Sequence, residues 1–342
     1  MKFIFEQIKR ILCPYCLTEI RYRSNILSCP NCKAELPPEY VYRFKDCPPC
    51  FVQTIGWSQA GKTVYQQALT SMLGAMHAVW KKQYTSSPQT NSTLRYIRNV
   101  NNFMTTGQMP DGTQLTLQEA YILLINGMER WGNRAFVMRD VAGENFTDLV
   151  FDTKFTPYLV HVPTVIMMFS LFDLENNALQ KNFTIDQLMS AYIQTLIRNN
   201  KEYFKIQRNV IIVLSKADLI TNKLPSKLLL QFERDPFQRV INIQPGEAIL
   251  PMGAQQMDDY MNSLAQFSND IEEWVATTNS GRNLIAVAKS YNIHLRFTLV
   301  SSIGSTINNG VTRSSIAPIR VLDPLFWALE FQSIGGEVLD AT

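Results

Sequence analysis

Gly56-Trp57-Ser58-Gln59-Ala60-Gly61-Lys62-Thr63 is the segment from which the architecture of this chain follows. A glycine, four residues and then Gly-Lys-Thr form the pattern of a phosphate-binding loop, whose backbone N–H groups converge on a phosphate at a helix N-terminus. The lysine adds a point charge for the terminal phosphates, and the threonine hydroxyl is a ligand for Mg²⁺. The predicted nucleotide-binding residues of the loop are Gly56, Ser58, Gln59, Ala60, Gly61, Lys62 and Thr63.

The sequence on either side of this loop predicts a strand, the loop and a helix in that order. Residues 51–55 are typical of a buried strand, and residues 64–80 are typical of a helix. Further strands are predicted at residues 121–125, 135–138, 164–172, 209–214 and 294–300. This alternation predicts an α/β fold with a mainly parallel sheet, flanked by helices and carrying its ligand groups at the carboxyl ends of the strands.

Acidic and small residues follow the strand predicted at 135–138, in the order Arg139-Asp140-Val141-Ala142-Gly143-Glu144. Asp140 is predicted to hold Mg²⁺, usually through water, and the Gly143 N–H is predicted to contact a γ-phosphate. Glu144 stands where a residue that orients the attacking water is expected. We therefore take Lys62, Asp140 and Glu144 as candidate catalytic residues.

The strand predicted at 209–214 leads into Ser215-Lys216-Ala217-Asp218, which indicates the base. The Asp218 carboxylate can accept two hydrogen bonds from guanine N1 and N2 while the stem of Lys216 lies over the ring. Adenine lacks this pair of donors, so the pattern favours GTP or GDP. Ser301 and Ser302 follow the last strand in a small-residue turn whose backbone could approach the base.

All six cysteines lie within the first 50 residues, as three Cys-Pro-x-Cys pairs. Cys13, Cys16, Cys29 and Cys32 have the spacing of a zinc ribbon, with short strands predicted at residues 20–22 and 26–27. A disulfide framework would need an oxidising compartment, and we expect no signal peptide, because residues 1–12 lack a continuous apolar segment and a small-residue cleavage site. The first two pairs therefore predict a structural Zn²⁺ site.

The third pair, Cys47 and Cys50, allows two interpretations. Either these are buried or unpaired thiols at a domain junction, or they bind metal in competition with the first four cysteines or together with another chain. We place the boundary here, with a front region at residues 1–46 and a nucleotide-binding domain at residues 47–342. The front region begins with a predicted amphipathic helix at residues 1–12, which either packs on the ribbon or contacts a membrane surface or a partner.

The composition is that of an ordinary globular protein, with 46% hydrophobic and 18% charged residues. A net charge of +3 gives no strong evidence for a nucleic-acid or membrane partner. The longest apolar run, residues 165–172, fits a buried strand and is too short to span a membrane. We expect a cytoplasmic protein.

The order of phosphate loop, Asp-x-x-Gly, Ser-Lys-x-Asp and Ser-Ser after a strand resembles the P-loop GTPases of the Ras-like and translation-factor class, over residues 51–334. The resemblance implies a Ras-like G domain that binds GTP and Mg²⁺, hydrolyses GTP slowly and acts as a switch. An arginine that speeds hydrolysis would come from a partner, from a second subunit or from Arg95, Arg98 or Arg139. The leading ribbon, the long segment before Asp140 and the helix around residues 322–327 resemble the bacterial double-GTPase group, associated by genome context with conflict and defence.

Three features depart from the pattern of that class. Ser215 replaces the usual asparagine, which removes an amide that ties the base loop to the phosphate loop. Glu144 replaces the usual glutamine, and its carboxylate would act as a base or repel the γ-phosphate and slow hydrolysis. The switch threonine that completes magnesium coordination is assigned to Thr113, which joins Lys62, Asp140 and Glu144 as a candidate catalytic residue, with Thr106 and Thr116 as alternatives.

Two other functions fit the same motifs. In one, the chain is a non-catalytic nucleotide-binding scaffold whose ribbon recruits a protein. In the other, it is an ATPase. For the GTPase itself, protein partners are expected at the ribbon or the switch loops, and self-association is a further expectation.

Overall fold

A seven-stranded sheet organises the chain. Its strands are β3 (Pro49–Gly56), β4 (Thr85–Pro88), β5 (Tyr121–Met128), β6 (Gly132–Ala142), β7 (Thr164–Ser170), β8 (Arg208–Ser215) and β9 (Ile293–Val300). Their order across the sheet is β4-β5-β6-β3-β7-β8-β9. The computed structural model describes residues 10–22, 26–57, 60–80, 83–107, 120–142, 161–171, 184–199, 207–243, 249–304, 307–308, 311–312 and 316–334.

Parallel pairing joins β6, β3, β7, β8 and β9, whereas β4 and β5 are antiparallel additions beside β6. At the end of β3, Gly56 is paired with Ala142 of β6 and Met168 of β7. The carboxyl ends of these strands therefore lie at one edge, and β3 occupies the position where the strand order reverses. Such a switch point is where α/β sheets bind ligands. The predicted fold class, a mainly parallel P-loop sheet with flanking helices and a small cysteine ribbon in front, is confirmed.

The helices follow the predicted pattern with shifted ends. They are α1 (Pro38–Arg43), α2 (Lys62–Ala75), α3 (Asn91–Thr106), α4 (Ile185–Asn199), α5 (Ser226–Glu233), α6 (Ala254–Val275), α7 (Asn279–Ser290) and α8 (Asp323–Ile334). The prediction extended α2 to residue 80, but the α-helix ends at Ala75 and gives way to a 3₁₀ turn at Met76–Ala78. Among the helices of the described ranges, none combines the length and apolar character needed to cross a bilayer.

The largest core cluster surrounds Phe326 of α8. Its ring stacks on Trp131 with centroids 5.0 Å apart and meets Phe237 edge-on at 5.5 Å. Trp80 and Tyr260 contact the same ring. Because aromatic rings bury large apolar areas in defined geometries, this cluster fixes α8 beside the strands that carry the site.

The front of the chain forms a ribbon in which β1 (Arg10–Leu12) pairs antiparallel with β2 (Glu19–Arg21). The prediction of a helix over residues 1–12 is wrong for residues 10–12, and residues 1–9 lie outside the described ranges. The strand predicted at 26–27 is also wrong, since the pairing there is a single bridge between Ser28 and Glu35. In each case a short cysteine-bounded hairpin outweighs the local apolar pattern.

Both edges of the large sheet are short or covered. On one side, β4 has four residues and ends in Pro88. On the other side, α6 packs along β9, and the Ser268 hydroxyl accepts a hydrogen bond of 2.8 Å from the Phe297 N–H. A polar side chain thus satisfies a backbone group that would otherwise face outward from the edge strand.

Candidate functional site

The phosphate loop joins the end of β3 to the start of α2, and two of its glycines are sterically required. A Cβ at Gly56 would lie 2.7 Å from the Met168 carbonyl oxygen, so β3 and β7 approach too closely for any side chain. Gly61 precedes the helix with φ at 87°, in the left-handed region that favours glycine. The loop therefore has the backbone freedom and the helix start that a phosphate cradle needs. Ser58 and Gln59 lie outside the described residues.

Lys62 begins α2 and is buried, with 5% of its surface exposed. Its ammonium donates hydrogen bonds to the carbonyl oxygens of Gly56 at 2.6 Å and Trp57 at 3.1 Å. The positive charge is therefore held inside the loop that the motif assigns to phosphates. Phosphate oxygens are stronger acceptors than these carbonyls, because their hydrogen bonds with the ammonium are between opposite charges.

In the parallel pairing of β6 with β3, Asp140 is the partner of Thr54. Thr54 lies two residues before the end of β3, and Asp140 lies two residues before the end of β6. Both side chains are buried, and the Thr54 hydroxyl oxygen has no hydrogen-bond partner among the described residues. The Ser170 hydroxyl at the end of β7 shares that property. Since buried polar atoms are normally paired, these hydroxyls fit an edge that takes a polar ligand. Thr54 was missed by the sequence analysis, although a polar residue within a buried apolar strand was the available signal.

Most of the residues assigned to the switch loops lie outside the described ranges. Thr113, Thr116, Gly143 and Glu144 lie outside the described residues, so their roles stay predictions. Thr106 ends α3 and donates its hydroxyl to the Asn102 carbonyl at 2.7 Å. Of the candidate arginines, Arg95 and Arg98 are exposed on α3, whereas Arg139 is buried in β6. Their catalytic roles stay predictions.

Ser215, at the end of β8, connects the base loop to the phosphate loop. Its hydroxyl lies 2.7 Å from the Ala60 carbonyl oxygen and 3.0 Å from that of Phe169, and its surface is 2% exposed. The expectation that replacing asparagine by serine removes this connection is therefore wrong. The Ser215 hydroxyl carries one donor proton, and the Ala60 carbonyl oxygen lies within hydrogen-bond distance of it, so serine keeps the two loops connected.

The predicted base loop begins directly after Ser215, at the end of β8. Lys216 has a positive φ of 58°, and Asp218 lies in the first turn of a 3₁₀ helix at Ala217–Lys223. Burial raises the pKa of the Asp218 carboxyl, and a hydrogen bond with the Ser301 hydroxyl opposes that rise. Ser301 also accepts a hydrogen bond from the Gly304 N–H at 2.9 Å. Its hydroxyl thus ties Asp218 to the turn after β9.

The turn after β9 places the two predicted serines differently. Ser301 is fully buried, and its backbone N–H and carbonyl are both paired with Ile319. Ser302 is half-buried in the turn. Because the backbone groups of Ser301 are hydrogen-bonded to Ile319, Ser301 could act at a base site only with its side chain, by holding Asp218.

Four thiols of the ribbon form a compact cluster. The sulfur atoms of Cys13, Cys16, Cys29 and Cys32 all lie within 4.8 Å of one another. Two of the separations are 3.7 Å, for Cys13 with Cys32, and 3.6 Å, for Cys16 with Cys29. Tetrahedral zinc with bonds of about 2.3 Å requires sulfurs about 3.8 Å apart. The cluster therefore has the ligand type and spacing that fit one zinc ion.

The two Cys-Pro-x-Cys pairs of the ribbon fold into the same turn. Leu17 and Lys33, which follow the second cysteine of each pair, have positive φ values of 59° and 61°. Each donates its N–H at 3.0 Å to the carbonyl of the first cysteine of its pair. Burial raises the pKa of Cys16, but hydrogen bonds with Thr18 outweigh it and lower the pKa to about 6. This favours the thiolate at Cys16, whereas burial raises the pKa of Cys13 and Cys32.

Cys47 and Cys50 stand apart from the cluster. Both are buried free thiols, and they belong to different apolar clusters of the protein, since Cys47 faces the ribbon and Cys50 joins the core of the sheet. Burial raises the pKa of Cys50 to about 12. Of the two interpretations, the structure matches buried thiols at the junction.

No protein-family model and no curated protein matches the sequence. Among solved structures, the chain is similar to the bacterial selenocysteine-specific elongation factor EF-Sec, with 12% identity and a TM-score of 0.29, over 74% of this chain and 26% of that chain. It is also similar to the mammalian SRP receptor, with 12% identity and a TM-score of 0.31, over 82% of this chain and 98% of that chain.

A third similar structure is the GTP-bound GTPase-like domain of S. cerevisiae Ski7, with 12% identity and a TM-score of 0.35, over 85% of this chain and 52% of that chain. The chain thus spans 26% of the elongation factor and 52% of the Ski7 chain. The fold of this chain is defined by its own strand order, its register and its phosphate loop.

We expect Ser215→Ala to lower the free energy of unfolding by about 1–3 kcal/mol, because it removes the hydroxyl that donates to the buried Ala60 carbonyl. Ser170→Ala is the matched control. Ser170 pairs with Ser215 across β7 and β8, and its hydroxyl has no partner among the described residues. Urea unfolding of both variants makes the comparison, and equal losses would show that the Ser215 hydroxyl is not a tie.

Proposed function

We propose that this chain binds GTP with Mg²⁺ and hydrolyses it slowly, as a nucleotide-controlled switch. One observation carries the proposal: the phosphate loop, Asp140 and the loop of Asp218 occur at the carboxyl ends of β3, β6 and β8, which meet at one edge of the sheet. Separate motifs in the sequence are thereby brought to the place where one nucleotide would lie.

The triphosphate would be held by the loop between Gly56 and Thr63. Backbone N–H groups at the start of α2 point toward the loop, and the positive end of the helix dipole favours an anion there. The buried ammonium of Lys62 would exchange its two carbonyl acceptors for phosphate oxygens. This exchange needs little movement, because Lys62 already lies within the loop.

Thr63 and Asp140 are the described residues that would hold Mg²⁺, and hydroxyl and carboxylate oxygens are the ligands it prefers. When bound, the ion neutralises charge on the β- and γ-phosphate oxygens. Thr113 is our choice for the remaining hydroxyl ligand. Asp140 is buried and pairs in register with Thr54, so these two polar side chains lie on the same face of the sheet.

Hydrolysis would depend on Gly143 and Glu144, which follow Asp140 directly. In this proposal the Gly143 N–H contacts the γ-phosphate, and Glu144 orients or activates the attacking water. Turnover is expected to be slow without an arginine from a partner, a second subunit or Arg95, Arg98 or Arg139. Release of the γ-phosphate would then free the loops of Thr113 and Gly143, which is the switch.

Base selection is assigned to Asp218, supported by Lys216 and by the turn at Ser301 and Ser302. The Ser301 hydroxyl bonded to Asp218 would hold the carboxylate in place for the two N–H donors of guanine. Holding the acceptor reduces the entropy lost on binding and so sharpens selection between purines.

The biological setting is proposed on the sequence alone. A ribbon before the phosphate loop, a long segment before Asp140 and a terminal helix support membership of the bacterial double-GTPase group and a role in conflict or defence. Protein partners at the switch loops, at the ribbon or through self-association belong to the same proposal. The non-catalytic scaffold and the ATPase are kept as outcomes of the tests below.

We expect Lys62→Ala to abolish measurable GTP binding, because it removes the buried charge that the phosphates would meet. Calorimetric titration of GTP with Mg²⁺ provides the measurement. Lys289→Ala, an exposed lysine on α7, is the control and should bind as the unaltered protein does. Unchanged GTP affinity in the Lys62 variant would reject the site.

We expect the protein to release inorganic phosphate from GTP slowly and only with Mg²⁺. A phosphate-release assay under single-turnover conditions measures this, with Lys62→Ala as the inactive reference. A protein that binds GTP but releases no phosphate, alone or with added partners, would be the scaffold instead of the enzyme.

We expect Asp218→Ala to reduce the preference for GTP over ATP, since the acceptor for the guanine N–H donors is lost. Competition between the two nucleotides for the protein measures that preference before and after the substitution. A variant that keeps the original preference, or an unaltered protein that prefers ATP, would contradict guanine selection by Asp218.

A further inference from the structure

The cysteine ribbon packs against one side of the large sheet, and this contact reaches the strands next to the phosphate loop. One apolar cluster contains three of the zinc-site cysteines together with residues of α1, β5 and β6. Its members on the two strands are Ile122, Leu124, Ala135 and Val137. The residues that alternate with them, such as Leu123 and Phe136, face the main core on the opposite side. The ribbon therefore covers the second face of β5 and β6, and Phe51 near the start of β3 belongs to the same cluster.

Helix α1 makes the connection with both apolar and polar contacts. The Tyr40 hydroxyl donates to the Leu12 carbonyl at 2.7 Å, which ties α1 to β1 of the ribbon. The Arg43 guanidinium donates to Asn126 Oδ1 at 2.6 Å, which ties α1 to β5. Tyr40 and Val41 are buried in the shared cluster. The ribbon, the helix and β5 thus form one packed unit.

The position of β5 and β6 makes this contact relevant to the site. Ile122 of β5 pairs with Val137 of β6. Strand β6 continues from there through Arg139 and Asp140 and ends at Ala142. Tyr121 begins β5 directly after the segment that contains Thr113. By contrast, the base loop follows β8, on the other side of β3 from β5 and β6. The ribbon therefore contacts β5 and β6, the strands beside the proposed magnesium ligand Asp140, which we call the magnesium side. It lies on the opposite side of β3 from β8, whose end carries the base loop and which we call the base side.

We propose that the four-cysteine ribbon is a buttress for β5 and β6, so that its zinc-dependent folding supports the magnesium side of the nucleotide site and leaves base selection independent. A ribbon too small to hold a core of its own depends on its metal for its fold. Losing that fold would expose Ile122 and Leu124 and loosen β5. The magnesium part of this inference rests on the proposed function, whereas the effect on β5 does not.

Zinc would be removed from the full chain with a zinc-selective chelator, and Mg²⁺ then restored. Hydrogen exchange should become faster by about tenfold or more at the amides of β5, because local opening follows loss of packing. Exchange at the amides of β8 should stay within about twofold. Unchanged exchange in β5 would overturn the proposal, and so would equal losses of protection in β5 and β8, which would mean general unfolding.

Nucleotide titrations of the same samples test the second part. We expect the gain in GTP affinity on adding Mg²⁺ to fall by about fivefold to tenfold after zinc removal, in the range of ordinary coupling between sites. The preference for GTP over ATP should not change. A loss of that preference, or an unchanged effect of Mg²⁺, would contradict the proposal.

Arg43→Ala provides a variant that keeps all four cysteines. It should keep its zinc and still speed exchange in β5, because it removes the hydrogen bond to Asn126. Glu39→Ala, on the exposed side of the same helix, is the matched control and should leave β5 unchanged. If the zinc-loaded protein ignores GTP, the proposed function fails, and the exchange measurements still decide whether the ribbon is a buttress.

Discussion

The parallel pairing of β3 with β6 on one side and β7 on the other is the constraint on which the site depends. It brings the carboxyl ends of β6, β3, β7 and β8 to one edge, and it does so at the point where the chain order reverses. The close approach of β3 and β7 leaves space only for glycine at position 56. That glycine ends the strand and begins the loop, so the packing of the sheet and the proposed phosphate site depend on the same residue.

The elements with strong local patterns could be predicted from the sequence. The loop from Gly56 to Thr63 and the apolar strands were identified because glycine spacing and buried strands leave clear local signals. The Cys-Pro-x-Cys pairs were equally clear, since the ligand spacing of zinc is nearly fixed. By contrast, β1 was predicted as a helix, because three residues of strand are too few to show a period of two.

What the sequence could not show were contacts between distant segments. The Ser215 hydroxyl was expected to break the connection between the two loops, yet it reaches the Ala60 carbonyl, 155 residues away. Nothing local to Ser215 indicates which carbonyl will lie beside it. Thr54 was missed for a similar reason, since its position beside Asp140 follows from the register of β3 with β6. The docking of α1 on β5 through Arg43 and Asn126 also joins segments 83 residues apart.

The covered edge at β9 has a consequence for how copies of this chain can meet. Many sheet proteins associate by placing two edge strands side by side, which extends the hydrogen-bonded ladder across the contact. Here Ser268 occupies an amide of one outer strand, and the other outer strand is a four-residue segment that stops at a proline, which has no N–H to offer. These two outer strands of the described sheet therefore disfavour dimers formed by strand addition and favour contacts made through side chains.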